Sequence, residues 1–181
     1  MHSCPLHPRG GCGVARHTPY ERAEPPGAWV ARYYCRLGHV TFSLLPDCLA
    51  SRLSSSLDEV EQVVAAVEAA GGSVRAVAPE LRPEIGTQGA ERWVRRRLRG
   101  VAATLTTVVG LLPVLLAGKE RSIQGLRAAL EQTRALAGLR KAASPYLGQL
   151  PPPVGFGPRP KPRPARPGAI QQSPGPDPPG Q

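Results

Sequence analysis

The sequence predicts an α+β chain: a small β module in front, an all-α bundle behind it, and an unfolded proline-rich tail. Three observations predict this. Aromatic and β-branched runs broken by turn residues are concentrated in residues 1–50. Apolar residues recur at steps of three and four from residue 53 to about 148. Thirteen of the 22 prolines stand at or beyond Pro145, so residues 149–181 are expected to remain disordered and extended. Aromatic residues make up only 4% of the 181, so any core must be built from Val, Leu and Ala.

The front module opens with "CPLHPRGGCG", a turn-rich loop bounded by Cys4 and Cys12. "VARHTPYER" and "WVARYYC" read as two strands joined by the turn "AEPPGA", and "VTFSLL" follows the turn "RLGH" as a third. Fifty residues with so few large apolar side chains cannot bury enough surface to fold unaided. A divalent ion gripping two turns would supply the missing free energy, on the order of 10 kcal/mol in small zinc-stapled peptides. Thiolate and imidazole are the donors zinc prefers, and two Cys/His-bearing turns joined by a hairpin are the plan of a zinc ribbon. The expected ligands of a structural zinc ion are Cys4, Cys12, Cys35 and His39. Cys4 and Cys12 enclose seven residues, wider than the usual two to four. A competing set therefore replaces Cys12 by His7, which has C-x2-H spacing from Cys4. Gly13 after Cys12 and Pro5 after Cys4 are the flanks of a ribbon knuckle and favour Cys12; His7 is held in reserve. Cys48, in "LLPDCLASRL", is expected to be a small buried hydrophobe, and His2 and His17 to be exposed.

The helical module, residues 53–148, begins with "SSSLDEVEQVVAAVEAAGG". Ser56 and Glu59 fit a capping box, Leu57, Val60, Val63, Val64 and Val67 form one stripe, and Gly71 and Gly72 stop the helix. Asp58, Glu59, Glu61 and Glu68 make it unsuited to touch phosphates. "SVRAVAPELRPEI" is a short helix limited by Pro79, with Val74, Val77 and Leu81 on one side, and "GTQGA" is a turn. A long helix then starts near Gly89 and carries Ala90, Val94, Leu98, Val101, Leu105, Val108 and Leu112 along one seam. Pro113 ends or kinks it. "SIQGLRAALEQTRALAGLRKAA" reads as one last amphipathic helix whose Ile123, Leu126, Leu130 and Leu136 pack inward.

The formal charge is +10 and the pI about 10.3, a balance suited to a polyanionic partner. Opposite the seam of the long helix stand Arg92, Arg95, Arg96 and Arg99, with Trp93 at the border. Guanidinium groups bond phosphate oxygens and guanine edges bidentately. A short helix, a turn and a longer arginine-bearing helix over residues 73–99 have the order of a helix-turn-helix, whose second helix enters the major groove of double-stranded DNA. Residues 100–118, "GVAATLTTVVGLLPVLLAG", are uncharged and of nearly membrane-spanning length. Their threonines, glycines and Pro113, and a seam continuous with a charged helix, favour a core helix instead.

Taken together, "YYCRLGHVTFSLLPDCLA" resembles the end of the zinc ribbon that opens bacterial insertion-sequence transposases and their small companion proteins. "SVRAVAPELRPEIGTQGAERWVRRRLR" is similar to their helix-turn-helix. The resemblance covers roughly residues 4–100 and implies a DNA-binding protein of a mobile element, partnered by a separate catalytic transposase. It departs in the second knuckle, where Gly38 stands in the place of a cysteine, and in the long insert of the first. Full transposases of this kind continue into a sheet bearing three metal-binding carboxylates. This chain has only Asp47, Asp58 and Asp177 as aspartates and no run of strands after residue 50, so no enzymatic activity is expected. "MHSCPLHPRGGCG" lacks the apolar stretch of an export signal, which points to the cytoplasm, where metal binding is favoured over disulfides. The rival readings are a non-catalytic protein-interaction adaptor and a protein tethered to a membrane by residues 100–118.

Overall fold

Residues 4–157 are described by the computed structural model; His2 and most of the basic tail lie outside them. Three strands, β1 (Val14–Glu21), β2 (Trp29–Cys35) and β3 (Val40–Leu44), form an antiparallel meander in the order β1-β2-β3. The register pairs Val14 with Cys35 and Cys35 with Val40, so Cys35 closes the central strand at one end of the sheet. An irregularity in β1 between His17 and Tyr20 bends the other end. His17 is exposed, as expected. Arg22 ties the sheet to the rest of the chain, donating to the carbonyls of Ala50 (3.1 Å) and Leu53.

Five α-helices follow among the described residues: α1 (Leu57–Ala69), α2 (Val74–Leu81), α3 (Thr87–Leu111), α4 (Ile123–Leu130) and α5 (Ala135–Ala142). The caps legible in the sequence are present. Ser56 Oγ accepts from Glu59 N at 3.0 Å, and Ser73 Oγ caps α2 by accepting from Ala76 N. The α1 stripe is buried throughout. Val60 and Val64 face the larger core, with Val101, Leu105, Val108, Ile123, Leu136 and Leu139. Val63 and Val67 face a smaller one, with Val77, Ala78, Ala90 and Val94, which joins α2 to α3. Helix α3 stops at Leu111, two residues before Pro113, as proline chemistry requires. Val101, Leu105, Val108 and Leu116 of the uncharged stretch are core residues, and among the described residues no helix is long and apolar enough to cross a membrane.

Three expectations are corrected by the fold. The last amphipathic segment is two helices, not one. The chain turns at Glu131, whose backbone is left-handed (φ 53), and α5 restarts at Ala135. The acidic residues of α1 explain the break. Glu61 is buried; its Oε1 accepts from Arg127 of α4 (2.9 and 2.8 Å) and its Oε2 from Leu136 N in the first turn of α5 (2.9 Å). Glu68 likewise accepts from Ile123 N at 2.9 Å, at the start of α4. Carboxylates at helix N-termini satisfy orphan amides and favour the dipole. Glu61 and Glu68 are therefore internal caps for the helices packed on α1. Replacing Glu61 by alanine strands the Leu136 amide and removes the anion facing Arg127. Denaturant unfolding should show a loss of about 2–4 kcal/mol, with Glu61→Gln in between.

The second correction concerns the tail. Residues 150–157 are packed rather than extended: Leu150 and Val154 are fully buried in the larger core. Ser51 N donates to Pro153 O at 2.9 Å, and Ser51 Oγ donates to Gly155 O. Gly100 on α3 leaves room for the close approach; an added Cβ would lie 3.1 Å from Pro153 Cδ and 3.2 Å from Pro152 O. Third, Cys48 is exposed; its neighbours Leu49 and Ala50 take the buried positions, while its carbonyl accepts from Leu57 N at 2.7 Å.

Candidate functional site

At the closed end of the sheet the side chains of Cys4, His7, Cys12 and Cys35 converge, with one donor atom from each lying within 4.8 Å of all the others. Their origins are local. Cys4 and His7 belong to one tight turn, closed by His7 N donating to Cys4 O at 2.9 Å. Cys12 enters β1 through Gly13, whose left-handed φ of 62 favours glycine, and Cys35 ends β2 opposite Val14. Leu37 N donates to Cys12 O at 3.3 Å and Gly38 N to Cys35 Sγ at 3.3 Å, so the second turn wraps the sulfur.

The distances fit a tetrahedral ion. Cys12 Sγ and Cys4 Sγ are 3.7 Å apart, and His7 Nδ1 lies 3.3 Å from Cys4 Sγ and 3.5 Å from Cys35 Sγ. With Zn–S near 2.3 Å and Zn–N near 2.05 Å, tetrahedral geometry sets S···S at about 3.8 Å and S···N at about 3.5 Å. The sulfurs are far from bonding distance, and all four cysteines are free thiols. The three clustered cysteines are buried, packed with Val14 and Phe42. These four residues could hold a metal ion.

The thiols are electrically unequal. Burial pushes the Cys4 thiol up, but hydrogen bonds from His7, the Leu6 backbone, Cys12 and Cys35 more than offset it, lowering it from 9.0 to about 6. Burial raises the Cys12 thiol, and the Cys4 and Cys35 sulfurs beside it add to the rise. Crowding like-charged sulfurs without a cation is unfavourable, and a divalent ion at their centre removes that conflict.

The sequence placed His39 in this set and kept His7 in reserve; the fold reverses them. His39 is exposed, in a left-handed backbone conformation (φ 50), and its Nδ1 is 3.0 Å from Tyr34 Oη. His7 reaches the sulfurs because Cys4-x2-His7 forms a knuckle by itself. Gly38, at the position of the missing cysteine, is where a Cβ would meet Leu6 Cδ1 at 2.9 Å. The seven-residue insert between Cys4 and Cys12 thus contains the fourth donor.

On α3, Arg92, Arg95, Arg96 and Arg99 are all exposed, as the helical wheel requires. Arg95 pairs with Glu91 at 2.6 Å, and Arg99 Nε donates to Arg95 O at 3.2 Å. Trp93 is differently engaged. The guanidinium of Arg97 lies 3.4 Å from its ring centroid and that of Arg82 4.8 Å, so the indole is already stacked within the protein. Arg97 is itself buried, bonded to Ser55 Oγ (2.5 Å) and 3.6 Å from Glu59. Burial lowers its guanidinium to about 10, with Glu59 opposing the shift. The sequence held the signal for Arg97: Ala90, Val94, Arg97, Val101, Thr104 and Val108 follow one four-three seam, and all are buried.

Two clefts lie along this helix. One, of about 530 Å³, is lined by Arg52, Leu53, Arg96, Arg99, Pro151 and Pro152 among others. The other, of about 490 Å³, includes Glu24, Arg82, Arg92, Trp93, Arg96 and Arg97. No protein-family model matches this chain, and no curated protein or solved structure does so either.

Proposed function

We propose that the chain is a non-catalytic DNA-binding protein whose β module is held by a structural zinc ion and whose α3 helix meets the phosphates of double-stranded DNA. The observation that carries the reading is the exposed row Arg92, Arg95, Arg96 and Arg99 on a rigid helix, in a chain of formal charge +10. The opposite side of that helix is anchored in both helical cores, so the arginines are presented on a fixed support. Helix α2 packs on α3 through Val77 and Ala78, in the order of a helix-turn-helix. The thiol-rich donor set favours zinc over hard cations, which take oxygen ligands. An association with a mobile element, and with a separate catalytic transposase, rests on the sequence resemblance alone.

The test is binding to duplex DNA across a salt series. Affinity should fall steeply with salt, because each neutralised phosphate releases counterions. Replacing the four arginines together by alanine should remove most of the binding and flatten the salt slope by about 3 in log–log units. No binding at low salt by the metal-loaded protein would overturn the reading and favour an adaptor that binds protein.

A further inference from the structure

Resting on the DNA-binding reading, we infer that the cleft between α3 and the 150–157 segment is a phosphate site, in which Arg52, Arg96 and Arg99 each neutralise one of the successive phosphates of the bound strand. Arg95, although on the same helix, stands outside it.

Several features build the site. The cleft, about 530 Å³, brings three arginines from two separate segments to one concavity, and no acidic residue lines it. Leu53, Ala103, Pro151 and Pro152 give it an apolar wall, suited to a sugar or the face of a base. Charge of one sign above low-dielectric walls focuses the field that an anion meets. The wall is fixed. Thr104 Oγ1 donates to Pro151 O at 3.3 Å, and Gly100 admits the prolines close to the helix.

Arg52 is the residue that sequence reading passes over. It lies between Ser51, pinned to Pro153 and Gly155, and Leu53, which is buried. Its backbone is left-handed (φ 56), a conformation that an arginine adopts only where its surroundings enforce it. Its side chain is exposed, with Nη2 3.5 Å from Phe156 O.

Arg96 and Leu53 also line the second cleft, whose other arginines are Arg82, Arg92 and Arg97 and whose one carboxylate is Glu24. The two clefts therefore make one arginine-lined track across the first half of α3. Arg95 lines neither and is paired with Glu91. A strand following the track would use Arg52 and pass Arg95 by.

The experiment measures fluorescence anisotropy of a labelled DNA duplex with the metal-loaded full chain, as a function of salt. The variants are Arg52→Gly, which keeps the left-handed backbone unstrained, Arg99→Ala and Arg95→Ala, each checked for an unchanged circular dichroism spectrum. Arg52→Lys, which retains charge, is a fourth. The expected result is a loss of about tenfold for Arg52→Gly and for Arg99→Ala at low salt, each with a salt slope reduced by about 1, against less than about twofold for Arg95→Ala. Arg52→Lys should keep the wild-type slope. If wild-type protein binds but Arg52→Gly binds equally well, or Arg95→Ala loses as much as Arg99→Ala, the cleft is overturned while DNA binding stands. If wild-type protein does not bind, both fall together.

Discussion

Cys35→Ser is expected to empty the metal site and unfold the β module while the helices persist. Cys35 is fully buried and ends the central strand, and its sulfur faces His7 Nδ1 at 3.5 Å and accepts from Gly38 N. The module's own cluster of buried apolar side chains consists of three cysteines backed by Val14 and Phe42, too little to offset the entropy of ordering some forty residues. Metal coordination at sites of this kind contributes on the order of 10 kcal/mol, which is folding free energy when the unfolded chain has no site. Native protein should carry one zinc ion per chain. The variant should carry none, and its circular dichroism should lose strand signal and keep the helical bands. His39→Ala, which only breaks a contact with Tyr34, should retain the metal, and His7→Ala should not. Metal should be held at pH 7 and released as the medium is acidified, because protons compete with the ion for the thiolates. Native protein that is metal-free, with a spectrum indifferent to strong chelator, would rule the centre out.

Arg140→Leu is expected to be the most destabilising single change in the helical module. Arg140 is buried, and its guanidinium donates to five carbonyls from two distant segments. Nε donates to Val154 O (2.9 Å) and Nη2 to Pro153 O (2.9 Å). Nη1 is shared among Leu49 O (2.6 Å), Asp47 O (2.9 Å) and Pro46 O (3.4 Å). Burial lowers its pKa, and Asp47 opposes the shift. Leucine fills part of the volume but strands these carbonyls, at about 1–3 kcal/mol for each that water cannot reach. A net loss of about 3–5 kcal/mol, much of a small domain's stability, should appear in denaturant unfolding. Arg140→Lys should recover less than half, because an ammonium has three donors at one point and cannot span both segments. An unchanged midpoint in the leucine variant would show that the 150–157 segment is not held through this side chain.

Much of the secondary structure was legible because its signals are local. The strand runs, the Ser56 and Ser73 caps, the α1 stripe and the stop before Pro113 each depend on residues within about one helical turn of each other. The boundary at residue 149 was misplaced for a related reason. Proline-rich composition argues for extended chain, but Leu150 and Val154 find their burial against α3 and α5, which composition does not report. The α4–α5 break was hidden because its cause, the carboxylate of Glu61, lies 75 residues before the amide it caps.

By itself the sequence determined that a thiol- and imidazole-rich hairpin precedes a capped helical bundle, and that α3 carries arginines on one face. Only the tertiary structure decided that His7 and not His39 meets the three sulfurs, that Arg140 faces inward, and that Arg52 joins Arg96 and Arg99 in one cleft. The physical reason is reach. Backbone preference is set by neighbours in the chain, whereas a long side chain settles wherever donors meet acceptors in space, as Arg140 does on the carbonyl of Leu49, 91 residues away.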